Sequence, residues 1–385
     1  MQNELNEYYI NLLRPKYIGK SKSDKSKLLD EAIEFTGLSR KTIIKKIAEP
    51  KMNRTSCSKG RPRRYDEIIN HLIILKSLMG DISEKRIKEA IPLWLPYYKA
   101  HYGGALTGKQ EKLLRKVSSS TIGRLIKKGI LQKGLSSTKP NERMKLHIPL
   151  KKLDEEVTTV GTIQADTVAH CCDNLGGKYA HTITAVDIFS GWTENRAVWT
   201  KEASSMVAGI ESIEESFPFE LKNFDTDCGT EFLNFTVMKF LEKRNRPVKM
   251  RRSRPYKKND QCYVEQKNFT HVRKLFEYHR IDNEELIELM NDIYENYWNP
   301  LHNYFIPSFK LESKQRINSR IVKIHDAPKT PAQRIIENKN INKHVRNRII
   351  SKQTVLDPIT LKRELNKKVE IFRKMLENHI IDKAA

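Results

Sequence analysis

The sequence predicts a chain of several domains: an all-α N-terminal region, a central α/β region with a mixed sheet and flanking helices, and a small C-terminal β segment with a terminal helix. Apolar residues recur at helical spacing up to about residue 130, whereas β-rich runs and helices alternate from about residue 157. A length of 385 residues with 38% apolar side chains is enough to bury several hydrophobic cores.

Charge is unevenly distributed along the chain. The formal net charge is +24, and Lys and Arg outnumber Asp and Glu by 32 to 14 in residues 1–150 and by 19 to 8 in residues 301–385. Residues 151–300 are instead acidic, with 25 acids and 20 bases. This pattern favours a polyanion partner held by the basic arms and cations held by the middle.

Cysteine usage and the absence of long apolar runs indicate a soluble, cytoplasmic protein. The five cysteines form an odd set without C-x-x-C spacing, which predicts neither a disulfide framework nor a structural zinc site. The longest apolar run, residues 72–79, is interrupted by Lys76, and the first residues lack a secretory pattern. We therefore expect no membrane association.

Residues 1–57 are predicted to form a helix-turn-helix domain. Apolar residues at helical spacing precede a turn at Gly37, and Ser39 is a suitable N-cap for the second helix. That helix would present five residues to DNA: Arg40, Lys41, Thr42, Lys45 and Lys46. A solvated helical pair in an all-α bundle is the alternative.

A basic linker and a second helical domain are expected next. Residues 58–65 contain Arg61, Arg63 and Arg64 and suit a phosphate backbone or a minor groove, although a plain linker is the alternative. Residues 66–150 resume the helical pattern. Their last helix, with Arg124, Lys127 and Lys128, is either the reading helix of a second helix-turn-helix-like unit or an ordinary basic surface helix.

The central region, residues 155–300, has the element order strand, strand, strand, helix, strand, helix, strand, helix. Residues 301–345 are predicted to form a small C-terminal domain with short strands. Residues 355–385 form a terminal helix with an apolar stripe, which predicts intramolecular packing, with a partner helix as the alternative. The stripe consists of Leu361, Leu365, Val369, Phe372 and Leu376.

Three carboxylates crowd the stretch FDTDCGTEF. Asp227 ends a predicted strand, where the carboxyl ends of an α/β sheet gather functional loops, so it is the candidate ligand. Asp225 lies deeper on the same strand face, and Glu231 is explained structurally if it occupies the first turn of the next helix. One aspartate cannot hold a catalytic divalent cation, so further ligands are needed.

Other acids supply candidate partners. Asp166 interrupts the apolar strand VGTIQADTVAH, where an unpaired acid is costly, and Glu265 lies in the first turn of a predicted helix. Asp187 interrupts TAVDIF, but a turn-capping role is equally consistent with its position at a strand end. His170 shares a strand face with Asp166, and we expect it to be a hydrogen-bonded structural residue rather than a ligand.

Asp166 in QADTVAHC, Asp227 in TDCGTEF and Glu265 after RSRPYKKNDQCYVEQKN resemble the Asp-Asp-Glu triad of bacterial insertion-sequence transposases with a retroviral-integrase-type core. The resemblance spans roughly residues 155–338. It implies an RNase H-like (DDE) fold in which the triad is catalytic and binds two Mg²⁺ or Mn²⁺ ions. Cys228 departs from the family pattern, which has Asn after the second aspartate, and a thiol cannot replace the amide hydrogen bonds.

The resemblance also implies DNA integration and recombination: the protein would bind double-stranded DNA at element ends and target sites, as a homo-oligomer near the bacterial nucleoid, and catalyse cleavage and strand transfer. Five basic residues just ahead of Glu265 would hold phosphates, unless they form a solvated charge run: Arg251, Arg252, Arg254, Lys257 and Lys258. A domesticated DNA-binding regulator with a relic core and an RNase H-like nuclease remain alternatives.

Overall fold

The computed structural model describes residues 2–48, 65–80, 82–102, 106–127, 157–227, 231–232, 234–253, 261–317 and 320–384. The chain divides into two compact units, Met1–Leu135 and Ser136–Ala385. None of the described helices combines the length and the apolar character that a membrane span requires. The two units are taken in turn.

Three helices open the first unit: α1 (Gln2–Tyr17), α2 (Lys22–Thr36) and α3 (Arg40–Ala48). Ser21 caps α2 by accepting a hydrogen bond from the Asp24 N–H, and Gly37 ends that helix with a φ of 66°. The positive φ explains why a glycine stands at the turn. The predicted helix, turn and helix are therefore present.

A small apolar core holds these three helices together. Ile10 of α1, Leu29 of α2 and Ile43 of α3 are all buried, and the rings of Tyr9 and Phe35 stack 4.1 Å apart. The guanidinium of Arg14 donates to the carbonyl oxygens near the end of α3, which would otherwise lack partners.

Four more helices complete the described part of this unit: α4 (Ile69–Met79), α5 (Glu84–Tyr102), α6 (Gly108–Lys116) and α7 (Ser119–Lys127). Trp94 and Tyr98 are fully buried on α5, and the hydroxyl of Tyr98 lies 2.9 Å from Nδ1 of His71. Thr107 and Gln110 form a reciprocal capping box at the start of α6.

The second unit is built on a five-stranded mixed sheet. Its strands are β1 (Thr162–Ala169), β2 (His181–Asp187), β3 (Thr193–Val198), β4 (Asn223–Thr226) and β5 (Lys249–Arg252). The spatial order is β3-β2-β1-β4-β5. The first three strands are antiparallel neighbours, whereas β4 runs parallel to β1 and β5 parallel to β4.

Helices cover both faces of the sheet, which confirms the expected α/β layering. On one face lies α8 (Ala203–Ser216), where a Cβ at Gly209 would come within 2.6 Å of Ile183 Cδ1. Only glycine allows so close an approach of helix and sheet. The helix α9 (Phe235–Glu242) joins β4 to β5.

The other face is covered by a helical run that contains two π-helical segments. In order it consists of α10 (Cys262–Lys267), the first π segment (Asn268–Arg273), α11 (Lys274–Phe276), α12 (Glu285–Asp292), the second π segment (Ile293–Trp298) and α13 (Asn299–Phe305). Hydrogen bonds join this run to the sheet, among them one between the Tyr294 and Thr182 hydroxyls at 3.2 Å.

The chain ends in a two-stranded antiparallel hairpin and three helices. The hairpin pairs β6 (Leu311–Ile317) with β7 (Arg320–His325), and α14 (Pro331–Glu337), α15 (Lys343–Val355) and α16 (Pro358–Ala384) follow. Phe372 of α16 is buried, with its ring 4.7 Å from that of Phe276. The apolar stripe of the terminal helix therefore packs within the chain, as predicted.

Candidate functional site

Asp166 and Asp227 lie side by side where two parallel strands end. In the register of β1 and β4, Gln164 pairs with Asp225 and Ala165 pairs with Thr226. Asp227 follows β4 directly, so the same register places it beside Asp166. Because residues paired across parallel strands project to the same face, both carboxylates belong to the face covered by α10 and the first π segment.

Asp166 is held in a defined orientation. Its Oδ1 accepts a hydrogen bond from the Thr167 N–H at 2.8 Å, and its Oδ2 accepts one from Asn268 Nδ2 at 2.6 Å. Burial and the negative charges of Asp227 and Glu231 raise the pKa of Asp166 to about 7, although the two hydrogen bonds oppose this shift. Asp227 and Glu231 are therefore each close enough to Asp166 to repel its ionised form.

Asp225 is a structural residue. Its carboxylate accepts hydrogen bonds from Arg251 Nε at 2.6 Å and Nη2 at 3.0 Å, and both residues are buried. The paired positions lie directly opposite each other on β4 and β5. Arg251 therefore neutralises a buried acid, and Arg252 is a buried residue of the same strand. Neither arginine therefore lies in a solvated charge run, and their predicted contact with DNA phosphates stays a prediction.

Glu231 does not lie in a helix. The helix α9 begins at Phe235, and its N-cap is Asn234, whose side chain accepts a hydrogen bond from the Val237 N–H. Glu231 instead occupies a turn and accepts a hydrogen bond from the Thr167 hydroxyl at 2.9 Å. The expected role in the first helical turn is wrong, because the capping amide lies three residues further on.

Glu265 lies on the exposed side of α10. The start of this helix is fixed to the sheet by Gln164, whose Oε1 accepts hydrogen bonds from the N–H groups of Tyr263 at 3.0 Å and Val264 at 3.1 Å. Within the described residues, no three His, Cys, Asp or Glu side chains form a group that could hold a metal ion. The structure thus brings Asp166 and Asp227 together, and the participation of Glu265 in a metal site with them stays a prediction.

Sequence reasoning missed Gln164 and Asn268. Gln164 is fully buried, and it is a polar intruder in the apolar strand two positions before Asp166. That alternation placed it on the face of Asp166 and could have identified it as a partner of the covering helix. No local signal distinguishes Asn268 from an ordinary helical asparagine.

Asp187 and His170, the other two polar residues that the sequence singled out here, are structural. Asp187 accepts hydrogen bonds from the Gly161 N–H and from both the N–H and the hydroxyl of Ser190, so the turn-capping alternative applies. Burial raises the pKa of Asp187 to about 6, and these bonds oppose the shift. His170 is buried, with Nε2 2.9 Å from the Thr182 hydroxyl, and burial lowers its pKa to about 3.

The five residues of α3 that were predicted to bind DNA differ in their exposure and contacts. Lys41 and Lys45 are exposed. Arg40 forms an ion pair with Asp30 and donates to the Ser26 hydroxyl at 2.7 Å, while the Thr42 hydroxyl lies 2.8 Å from that of Ser39. Lys46 is half-buried. None of these contacts tests DNA binding, which stays a prediction.

The second predicted reading helix corresponds to α7, which ends at Lys127. Its Arg124 is exposed and donates to the Thr121 hydroxyl at 3.2 Å. The remaining predicted contacts lie outside the described residues: Arg61, Arg63, Arg64, Lys128, Arg254, Lys257 and Lys258.

Comparison with known proteins places this chain beside a rhizobial protein. The chain is 31% identical over 324 residues to the uncharacterized protein y4rM of Sinorhizobium fredii, an alignment that covers 83% of this chain and 91% of y4rM. The chain belongs to the y4rM family. The sequence matches no protein-family model.

Similarity to solved structures is weaker than the similarity to y4rM. A chain of the simian T-cell lymphotropic virus intasome, in complex with the PP2A regulatory subunit B56 gamma, is 14% identical to this chain. The alignment covers 46% of this chain and 59% of that chain, less than two thirds of its length, with a TM-score of 0.27. A similarity at this level does not define the fold.

Proposed function

We propose that this y4rM-family chain is a DDE transposase or integrase, a metal-dependent enzyme that binds the ends of a mobile DNA element, cleaves there and joins the ends to target DNA. The adjacency of Asp166 and Asp227 at the carboxyl ends of two parallel strands supports this function best. Such strand ends are where α/β sheets place their chemistry.

The sheet supports an RNase H-like assignment for the core. Three consecutive antiparallel strands are followed by two parallel strands, in the spatial order β3-β2-β1-β4-β5. The first and second acids of the sequence resemblance fall on the central strand and directly after its parallel neighbour. The resemblance requires the same placement of its two aspartates.

The residues present fit divalent cations. Carboxylate oxygens are the ligands that Mg²⁺ and Mn²⁺ prefer. The pKa of Asp166 is raised by burial and by the neighbouring charge of Asp227, and a cation would offset both effects. Asp225 provides the contrast, because Arg251 already balances its charge. Asp166 and Asp227 would hold two ions, with Glu265 as the third carboxylate. When bound, the ions would activate the attacking oxygen and stabilise the leaving oxygen of a phosphodiester.

The chain's own residues set up this chemistry. Asn268 and the Thr167 N–H orient the two oxygens of Asp166. Gln164 fixes the helix of Glu265 to the strand of Asp166, so the two elements keep one relative position. Well-oriented ligands of this kind reduce the cost of reorganisation when a charged transition state forms.

Basic surface in the N-terminal unit supports DNA as the substrate. The exposed Lys41 and Lys45 share α3 with Arg40, and the helix carries no acid. A short basic helix after a tight turn is the element that enters a DNA groove in helix-turn-helix proteins. The excess of 32 bases over 14 acids in residues 1–150 would add binding to phosphates.

Purified protein with Mg²⁺ or Mn²⁺ and duplexes that carry the DNA flanking the reading frame would test the proposal. Asp166→Asn and Glu265→Gln should each reduce cleavage and joining to background while end binding stays unchanged, because each variant removes a ligand but leaves the basic surfaces intact. Glu288→Gln is the matched control, since Glu288 is an exposed glutamate on α12.

The outcomes separate the competing functions. Binding of ends by the wild type without cleavage would indicate a regulator with a relic core. Cleavage without joining would indicate a nuclease. Joining at the wild-type rate by Glu265→Gln would reject the assignment of the third carboxylate.

A further inference from the structure

Phe269 is an exposed aromatic residue on the helical run that carries Glu265. Half of its surface, 50%, is accessible to solvent, whereas Val264 and Val272 of the same run are fully buried against the sheet. Glu265 lies in α10 and Phe269 in the π segment that directly follows it, and both are exposed, so the two residues lie on the solvent side of one helical run. A single exposed apolar residue is ordinary by itself, and its position next to the carboxylates is what matters.

A cation lies beside this ring. The ammonium of Lys274 is 5.9 Å from the centre of the Phe269 ring, and Lys274 is itself exposed. An aromatic ring with an adjacent ammonium presents flat apolar surface together with positive charge. This combination recognises single-stranded nucleic acid, in which a base stacks on the ring and the phosphate meets the cation.

The backbone around Phe269 is anchored on both sides to β1. Asn268, its immediate neighbour, donates to Asp166, and Arg273 donates through Nη2 to the carbonyl oxygen of Ala169 at 3.0 Å. These two residues are the first and last of the π segment. Such segments are rare and occur frequently at functional sites. The helical segment that carries Phe269 is therefore held against the strand of Asp166.

We propose that Phe269 stacks on an unpaired nucleobase of the DNA strand whose phosphodiester lies at Asp166 and Asp227. The ligand class is single-stranded DNA, or a duplex end whose terminal base has left its partner. This inference rests on the proposed function, because it names a contact of the same substrate with the same site. It assigns Phe269 a role in holding the strand.

Binding in EDTA tests the contact without any chemistry. The probes are a fluorescent 12-nucleotide oligothymidylate and the same oligonucleotide with abasic sites in place of its thymines. Both carry the same phosphates, so basic surfaces elsewhere bind them equally. The dissociation constant for the abasic oligonucleotide divided by that for oligothymidylate therefore isolates the contribution of the bases. Phe269→Ala should reduce this ratio by about 5- to 100-fold, the range expected for loss of a stacked aromatic.

Two variants serve as controls. Phe269→Trp keeps an aromatic face and should retain the wild-type ratio. Tyr278→Ala removes another cation-adjacent ring, 62% exposed and 4.8 Å from the Arg273 guanidinium, and should change the ratio less than about twofold. Tyr278 lies beyond the end of α11, outside the helical segments that contain Glu265 and Phe269.

The proposal would be overturned by a wild-type ratio near one, by an unchanged ratio in Phe269→Ala, or by equal losses in Phe269→Ala and Tyr278→Ala. Because no divalent ion is present, these results do not depend on cleavage. A protein that fails to cleave could still show the stacking contact. If the wild type joins DNA but Phe269→Ala leaves the ratio of dissociation constants unchanged, the stacking contact is rejected while the proposed function stands.

Discussion

Replacing Asp166 with Asn should stabilise the α/β unit at neutral pH when no divalent cation is present. The pKa of Asp166 is raised from its ordinary value of 3.8 to about 7, chiefly by burial and by Asp227. A group with a raised acid pKa costs the folded state nothing below pH 3.8, an increasing amount as the pH rises toward 7, and the full amount above it.

The magnitude follows from the width of that pH window. About three pH units at 1.36 kcal/mol each give an upper limit of about 4 kcal/mol for the cost of ionised Asp166. Asp166 is only half-buried as a residue, so solvent screening reduces this figure. The Asn268 amide can rotate to accept a hydrogen bond from an introduced Asn, so we expect a net gain of about 1–3 kcal/mol at pH 8.

Urea unfolding in EDTA at pH 4.5 and pH 8 would measure this difference. Tryptophan fluorescence suits the purpose because Trp192, Trp199 and Trp298, three of the four tryptophans, belong to the α/β unit. The variant should match the wild type at pH 4.5 more closely than at pH 8, and added Mg²⁺ should stabilise only the wild type. A difference in free energy of unfolding between variant and wild type that is the same at both pH values would refute the raised pKa of Asp166.

The remaining predictions concern residues that stabilise the fold. Asp225→Asn should cost about 3–5 kcal/mol, because it removes one partner of a buried ion pair, and most of this loss should be recovered when Asp225→Leu is combined with Arg251→Met. A loss below 1 kcal/mol in urea unfolding would contradict the structural role. Phe372→Ala should cost about 3–5 kcal/mol by opening a cavity beside Phe276, whereas Ile371→Ala, at a 48% exposed position, should cost less than about 0.5 kcal/mol. Thermal unfolding that fails to separate these two variants would show that α16 does not stabilise the unit.

The order of elements in the central region could be predicted because each element carries its own local pattern. The β-rich runs and the helical runs alternate in the sequence as they do in β1, β2, β3, α8, β4, α9, β5 and α10. Burial on both faces of the sheet leaves strands that are apolar enough to recognise. A polar residue inside such a strand, such as Asp166, is then conspicuous.

Contacts between distant segments could not be predicted in the same way. Arg251 was assigned to DNA because its neighbours in sequence are basic, yet its partner is Asp225, 26 residues earlier, on the adjacent parallel strand. The start of α9 was placed too early because Glu231 precedes an apolar run. Asn234, a stronger N-cap, was the local signal that was available.

Gln164 has a consequence for any mutational survey of this chain. Its amide oxygen is the acceptor for two backbone N–H groups at the start of α10, while the next residue on the same strand face, Asp166, is bound by Asn268 from the turn that follows. A screen that scores only loss of the proposed activity would rank Gln164 beside the carboxylates, although its side chain is fully buried. Hydrogen exchange at the Tyr263 and Val264 amides would tell the two classes apart, since only loss of the glutamine should speed it.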